Sequence, residues 1–243
     1  MARYGLIGRH LSHSFSQRYF TEKFVREGLS DHRYDLFELE RIEDLQGLLS
    51  GTPGLQGLNV TIPYKQAVLP YLHKLDPVAA TVGAVNTIRI QDGQLSGYNT
   101  DVEGFRSTLL PMIGETRPRT LVLGSGGASR AVVFVLRELG IKFRVVSRSR
   151  ETGDITWDLL DPALVSVCPL IINTTPLGMH PDVDGMPAVP LAAIGPKHCL
   201  IDLVYNPEMT RFLHAGEARG ARIANGLSML HAQAEAAWRV WRG

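Results

Sequence analysis

The stretch Thr120–Arg150, TLVLGSGGASRAVVFVLRELGIKFRVVSRSR, constrains the fold of this chain more than any other segment. An apolar strand, Leu121–Leu123, runs into Gly124-Ser-Gly126-Gly127-Ala128. Apolar residues then recur at helical spacing (Ala131, Val132, Val135, Leu136, Leu139), Gly140 stops the helix, and Phe143–Val146 forms a second apolar strand. Strand, glycine turn, helix and strand make half of a nucleotide-binding fold. The glycines at 124, 126 and 127 let backbone amides approach a pyrophosphate, and Ala128 lies in the first turn of a helix whose N–H groups and dipole attract anions.

The end of the second strand speaks to the choice of nucleotide. An acid there would hold a ribose 2′-hydroxyl, but the chain has Ser147-Arg148-Ser149-Arg150. A fork-shaped, permanently charged guanidinium between hydroxyls suits a 2′-phosphate, so the expected cofactor is NADP rather than NAD. The competing reading of the glycines is a βα turn that binds nothing, and of the arginines a solvated surface.

Strands alternate with helices elsewhere. Strands are expected at Tyr4–Gly8, Tyr34–Leu39, Leu58–Ile62, Leu170–Thr174, Leu200–Val204 and Ala221–Ala224, with a hairpin of Val85–Ile90 and Gln94–Tyr98 turning at Asp92-Gly93. Helices are expected at Ser14–Gly28, Ile42–Leu49, Thr100–Met112, Glu208–Arg219 and Gly226–Trp241, with a short one within Trp157–Val165. The pattern predicts an α/β protein with mostly parallel sheets, and 243 residues allow two modest domains. A net charge of +1 offers nothing to nucleic acid or an acidic membrane surface. No apolar run nears the roughly 20 residues that span a bilayer, and Met1–Arg9 lacks the apolar core of a signal peptide. Cys168 and Cys199 have no metal-ligand spacing, so free thiols in a reducing cytoplasm and no metal are expected.

Polar side chains gather where strands end: Ser14 and Ser16; Asn59, Thr61 and Lys65; Asn86 and Thr87; Asn99, Thr100 and Asp101. In open α/β sheets ligands bind at such ends. Each residue has a plainer role open to it. Ser14 could cap a helix, Asn59 and Asn86 could satisfy turn backbone, Lys65 could be solvated, and Asp101 could cap the helix it precedes.

Taken in order, these motifs make the chain resemble the shikimate dehydrogenase family from end to end. The resemblance rests on Ser12-His-Ser14-Phe-Ser16, Gly57-Leu-Asn59-Val-Thr61-Ile-Pro-Tyr-Lys65, Gly83-Ala-Val-Asn86-Thr87 and Gly97-Tyr-Asn99-Thr-Asp101. It continues through Gly124–Arg130, Asn173-Thr-Thr-Pro-Leu-Gly178-Met, Asp202-Leu-Val-Tyr205-Asn-Pro207, and Gly226-Leu-Ser-Met229-Leu with Gln233. It implies reversible, NADPH-dependent reduction of 3-dehydroshikimate to shikimate in aromatic amino-acid biosynthesis. Lys65 and Asp101 are then the expected catalytic pair. Ser14, Ser16, Asn59, Thr61, Asn86, Tyr205 and Gln233 are the expected substrate contacts, and Thr174, Gly226 and Met229 join the expected cofactor site. The types suit the task. Reducing a ketone needs a proton at oxygen, which an ammonium oriented by a carboxylate can give. His10 and His13 are expected to be structural or solvated.

The resemblance also implies a substrate domain, residues 1–104 completed by the helix 226–243, and a Rossmann-like NADP domain, residues 105–225. Monomer and homodimer remain open. Three departures stand out: Gln17 where the family has proline, Ser147-Arg-Ser149 where Asn-Arg-Thr is commoner, and a 150–170 segment short of much of its usual helix. Two other functions fit the same fold, a quinate/shikimate dehydrogenase using NAD and a non-catalytic ligand sensor. The sensor would be expected to lack Lys65 or Asp101, and both are present.

Overall fold

The computed structural model describes residues 1–11 and 14–243; Ser12 and His13 of the serine motif lie outside the described residues. By contact, the chain divides into a unit of Met1–Thr100 with Ala234–Gly243 and a unit of Asp101–Gln233. The sequence reading expects the crossings after residues 104 and 225.

The first unit contains β1 (Ala2–Gly8), α1 (Phe15–Arg26), β2 (His32–Glu38), α2 (Leu45–Gly51), β3 (Leu55–Val60), α3 (Tyr64–Ala67), β4 (Lys74–Leu75), α4 (Pro77–Val82), β5 (Thr87–Gln91) and β6 (Gln94–Tyr98). Its sheet runs β2-β1-β3-β5-β6-β4. It is mixed, with three of its five pairings parallel: β1 pairs parallel with β2 and β3 and β4 with β6, whereas β5 is antiparallel to both β3 and β6. The reason is the tight hairpin. Asp92 and Gly93 have φ of 50° and 74°, the pair of positive values that a type I′ turn requires, and such a turn reverses the chain.

Alternation along β1 serves two cores. Tyr4 and Leu6 face one with Phe20, Phe24, Trp238 and Trp241. Ile7 faces the other with Leu58, Val60, Val85 and Ile88. The C-terminal helix is sealed onto the sheet by Trp241, whose indole N–H donates to the Ile88 carbonyl at 3.0 Å. Gly57 leaves the room that this ring fills. β3 ends at Val60, before the expected Ile62, where the Thr61 carbonyl accepts from the Tyr64 amide and the chain turns into α3.

The second unit contains α5 (Asp101–Ile113), β7 (Thr120–Leu123), α6 (Gly127–Glu138), β8 (Phe143–Ser147), β9 (Ile155–Thr156), α7 (Pro162–Ser166), β10 (Leu170–Asn173), β11 (Cys199–Asp202), α8 (Arg211–Glu217), β12 (Arg222–Ala224) and the start of α9 (Leu227–Arg242). Its sheet, β12-β11-β10-β7-β8-β9, is parallel throughout. β7, β10 and β11 are buried along their whole length, as a sheet covered on both faces requires. The chain leaves β7 for β8 and β9 on one side, then returns to β10 on the other. The order therefore reverses between β7 and β10, the place where such sheets bind ligands.

One crossover is missing its helix. β8 and β9 are parallel neighbours joined by residues 148–154 alone, and that link consists of bends and turns. Parallel strands ordinarily need a connection of about a dozen residues or more. Here β9 pairs at only two positions, and the Asp154 carboxylate accepts from the Val145 amide at 2.7 Å, occupying a β8 donor beyond the reach of that strand.

Candidate active site

In the first unit the polar residues meet at one end of the sheet, where β3 ends, β5 begins and β6 ends. The register pairs Asn59 with Thr87 and Thr87 with Tyr98. Asn59 is 4% exposed: its Oδ1 accepts from the Tyr34 hydroxyl at 2.8 Å, and its Nδ2 donates to the Asn86 carbonyl and Thr87 Oγ1 at 3.3 and 3.2 Å. Asn86 Nδ2 donates to Thr100 Oγ1 at 2.9 Å, and its Oδ1 accepts from the Thr100 amide at 2.7 Å. Asn99 Nδ2 donates to the Ala84 carbonyl at 2.8 Å. Ser16, buried in the first turn of α1, reaches the same Tyr34 hydroxyl. A frame Ser16–Tyr34–Asn59–Asn86–Thr100 thus joins three of the expected substrate residues. Tyr34 is its unexpected member, since a tyrosine in a strand gives no sign in sequence of which hydroxyl partners it will meet. Burial pushes its phenol well above the ordinary range, so it stays a neutral donor.

The other expected residues of the first unit lie on neighbouring elements. Ser14 holds the N-cap position of α1, yet its side chain makes no capping hydrogen bond, which removes the simplest structural role for it. The Thr61 methyl packs over Gly8 at the end of β1. Lys65 lies half-buried on α3, and its carbonyl accepts from the Val85 amide at 2.7 Å, tying the lysine-bearing turn to the segment that leads into Asn86. His10 is exposed.

In the second unit, Asp101 opens α5 and is 4% exposed. The amide end of a helix favours negative charge at that place. One turn on, Gly104 lets α9 come close: a Cβ there would lie 2.7 Å from the Met229 carbonyl and 3.0 Å from Gln233 Cβ. The helices bearing Asp101, Met229 and Gln233 are therefore packed face to face. Gly226 stands against the Leu203 carbonyl with no space for a side chain, and its amide donates to the Val204 carbonyl at 3.1 Å. That contact places the start of α9 beside Tyr205, whose phenol burial pushes up.

The reversal between β7 and β10 is where a nucleotide crevice is expected. Gly124 has φ +105°, and a Cβ there would meet Thr174 Oγ1 at 2.8 Å and Thr175 Cγ2 at 2.9 Å. Thr174 donates its hydroxyl to the Leu123 carbonyl at 2.7 Å, closing the two strands' ends together. Gly126 differs: nothing lies within 4 Å of where its Cβ would be. Its extended backbone (φ −78°, ψ −171°) caps α6 without a side-chain acceptor, so the first amides of the helix face an open cradle. At the end of β8 the Ser147 hydroxyl is buried within the loop, donating to the Ser149 carbonyl and accepting from the Ser149 amide at 3.1 Å. It braces the turn that presents Arg148. Arg148 is exposed and pairs with no carboxylate among the described residues. A side-chain-free cradle at a helix N-terminus, followed by an unpaired guanidinium at the end of the next strand, fits a dinucleotide with a phosphorylated ribose.

Asp202, which sequence reasoning left unassigned, is fully buried at the end of β11. It accepts from Asn173 Nδ2 at 2.9 Å, the Val204 amide at 3.0 Å and the Thr210 hydroxyl at 2.7 Å. Burial outweighs these donors and pushes its carboxyl up to about 6. Among the described residues no cluster of His, Cys, Asp and Glu is arranged to hold a metal ion, and no helix is long and apolar enough to cross a membrane.

Residues 6–88 match the family described as Shikimate dehydrogenase substrate binding domain. The shikimate dehydrogenase (NADP(+)) of Clostridium beijerinckii is 39% identical, across 100% of this chain and 92% of the relative. The crystal structure of shikimate 5-dehydrogenase from Thermus thermophilus, in complex with NADP(H) and shikimate, is 32% identical with a TM-score of 0.88, covering 99% of this chain and 93% of that one. Quinate dehydrogenase from Corynebacterium glutamicum in complex with NAD is 28% identical with a TM-score of 0.86, covering 99% and 93%.

Proposed function

The chain belongs to the shikimate dehydrogenase family, and from that premise we propose how its residues carry out the family reaction. The enzyme is an oxidoreductase that interconverts 3-dehydroshikimate and shikimate, with NADP as cofactor. When bound, NADPH supplies the hydride. The protein's tasks are to hold the ketone, supply the proton and stabilise charge that develops on oxygen.

Lys65 is the proton donor in reduction and the acceptor in oxidation, with Asp101 as the carboxylate that orients its ammonium and holds a substrate hydroxyl. The observation that carries this assignment is the buried amide frame: it ends on Thr100, the residue before Asp101, while Lys65 is tied through its carbonyl to the segment that leads into the frame. Ser14, Ser16, Thr61 and Gln233 supply polar contacts to the substrate's carboxylate and hydroxyls. Asn59 and Asn86, already bonded within the frame, meet the substrate as a rigid wall, and Tyr205 flanks the reacting ring.

Gly124, Gly126, Gly127 and Ala128 form the pyrophosphate cradle. Arg148 and Ser149 take the 2′-phosphate, with Ser147 bracing their loop, and Thr174, Gly226 and Met229 line the nicotinamide side. Residues 1–104 with 226–243 then act as the substrate domain and 105–225 as the NADP domain. The enzyme works in the cytoplasm as a monomer or homodimer. Its two buried free cysteines and near-neutral charge suit that setting.

An NAD-linked quinate dehydrogenase is the nearest other reading, and the basic Ser147–Arg150 segment argues against it. The test is steady-state kinetics with shikimate and quinate, each with NADP and NAD. Turnover of shikimate with NADP should dominate. Lys65→Ala should lose roughly 10²–10⁴-fold in kcat with KM for shikimate little changed. Near-wild-type turnover by that variant would remove the lysine from the chemistry.

A further inference from the structure

The cofactor crevice has two walls. One is the glycine turn after β7 with Thr174 and Thr175 after β10; the other is the segment after β11, from Leu203 to Tyr205, on which Gly226 rests. They are joined by one chain of hydrogen bonds, buried from Asn173 onward. Thr175 donates through its amide (3.0 Å) and hydroxyl (2.7 Å) to Asn173 Oδ1. Asn173 Nδ2 donates to Asp202 Oδ1, which also accepts from the Val204 amide, and Asp202 Oδ2 accepts from Thr210 at the N-cap of α8. Asn173 and Asp202 have no solvent exposure and Thr210 is 1% exposed. Asp202 is the one member of this chain that can ionise.

We infer that Asp202 is a positioning residue for the cofactor, whose carboxylate couples the two walls of the crevice and makes cofactor affinity depend on its own ionisation. This rests on the functional reading above and deepens it. As a carboxylate, Asp202 accepts all three donors at once. As an acid it must itself donate at one oxygen, and it offers only neutral acceptors to the rest. Thr210 would then have to turn its hydroxyl hydrogen elsewhere, and the bonds to Asn173 and Val204 would weaken. The groups that face Asp202 are all neutral: the Asn173 amide from β10, the Val204 backbone amide and the Thr210 hydroxyl at the start of α8. Its titration is therefore governed by burial and these three donors, with burial the largest influence.

The experiment is NADPH titration by fluorescence from pH 5 to pH 8.5 with the full-length enzyme and Asp202→Asn, which keeps the shape and can reproduce three hydrogen bonds without the charge. The cofactor's 2′-phosphate ionises in the same range, so the quantity read is the ratio of the two dissociation constants. That ratio should be near one at pH 5, where the amide resembles the acid, and rise to roughly tenfold at pH 8, the difference between charged and neutral hydrogen bonds. If Asp202→Asn is poorly folded, Thr210→Val serves instead: loss of that donor should move the wild-type inflection to higher pH. A ratio flat across pH, or an inflection that Thr210→Val leaves in place, would overturn the inference. Failure of the functional reading would show separately, as no NADPH binding by the wild type at pH 8.

Discussion

Replacing Gly126 by alanine separates a phosphate cradle from an ordinary turn. In the free protein the substitution should be nearly silent. The backbone at φ −78° and ψ −171° is open to any residue, and no atom lies within 4 Å of the new methyl. Restricting the unfolded chain stabilises by about 0.4–1 kcal/mol, and the poorer N-cap preference of alanine costs a similar amount. The net change should lie within about 0.5 kcal/mol, or roughly 2 °C in melting temperature for a chain of this size. With cofactor the outcome reverses. The methyl would occupy the space through which a phosphate reaches the first amides of α6. Losing one charge-assisted hydrogen bond, about 1.5–3 kcal/mol, weakens NADPH roughly 10- to 100-fold. Gly124→Ala is the contrast. At φ +105°, with Thr174 Oγ1 2.8 Å from the new Cβ, it should destabilise the protein itself by about 1–3 kcal/mol. Thermal melts without ligand and fluorescence titration of NADPH read both effects. Wild-type affinity in Gly126→Ala would refute the reasoning and leave the glycines as features of a turn.

Other outcomes follow from the same structure. Arg148→Ala should raise KM for NADPH roughly tenfold or more and KM for NADH far less, because only the former carries the 2′-phosphate; equal effects in cofactor kinetics would reassign the arginine. Trp241→Phe should cost about 1–3 kcal/mol in urea denaturation by leaving the Ile88 carbonyl without its donor, and an unchanged midpoint would show that α9 does not depend on that bond. For Asp202 the sign is set by a folded-state carboxyl at about 6 against an ordinary 3.8. Protonation favours the folded state, so this group's contribution is full below the lower value and lost as pH rises through the higher one. Wild type should therefore lose up to about 3 kcal/mol relative to Asp202→Asn between pH 4 and pH 7, checked by denaturation at each pH. A constant difference would mean that Asp202 is not buried as a charge.

What the sequence determined by itself is local. The β7–α6–β8 unit, the Asp92-Gly93 hairpin and most helices were legible because each depends on residues within a turn or two of one another: helical period, positive-φ glycines, cap positions. Family motifs likewise marked Lys65, Asp101 and the amides around them. Tertiary structure decided the rest. The antiparallel β5–β6 pair was legible in the Asp92-Gly93 turn, but no local signal placed β5 antiparallel beside β3 or β4 at the edge beside β6. Ser147 read as a phosphate contact, and the folded turn engages its hydroxyl internally. Tyr34 and Asp202 carried no local signal. Their roles arise because Asn59 lies 25 residues from Tyr34, and Asn173 29 residues from Asp202, yet each pair meets through a buried hydrogen bond. A side chain's neighbours inside a protein are chosen by strand order and burial, and that order is a property of the whole chain: no window of sequence contains the water that folding removes or the partner that replaces it.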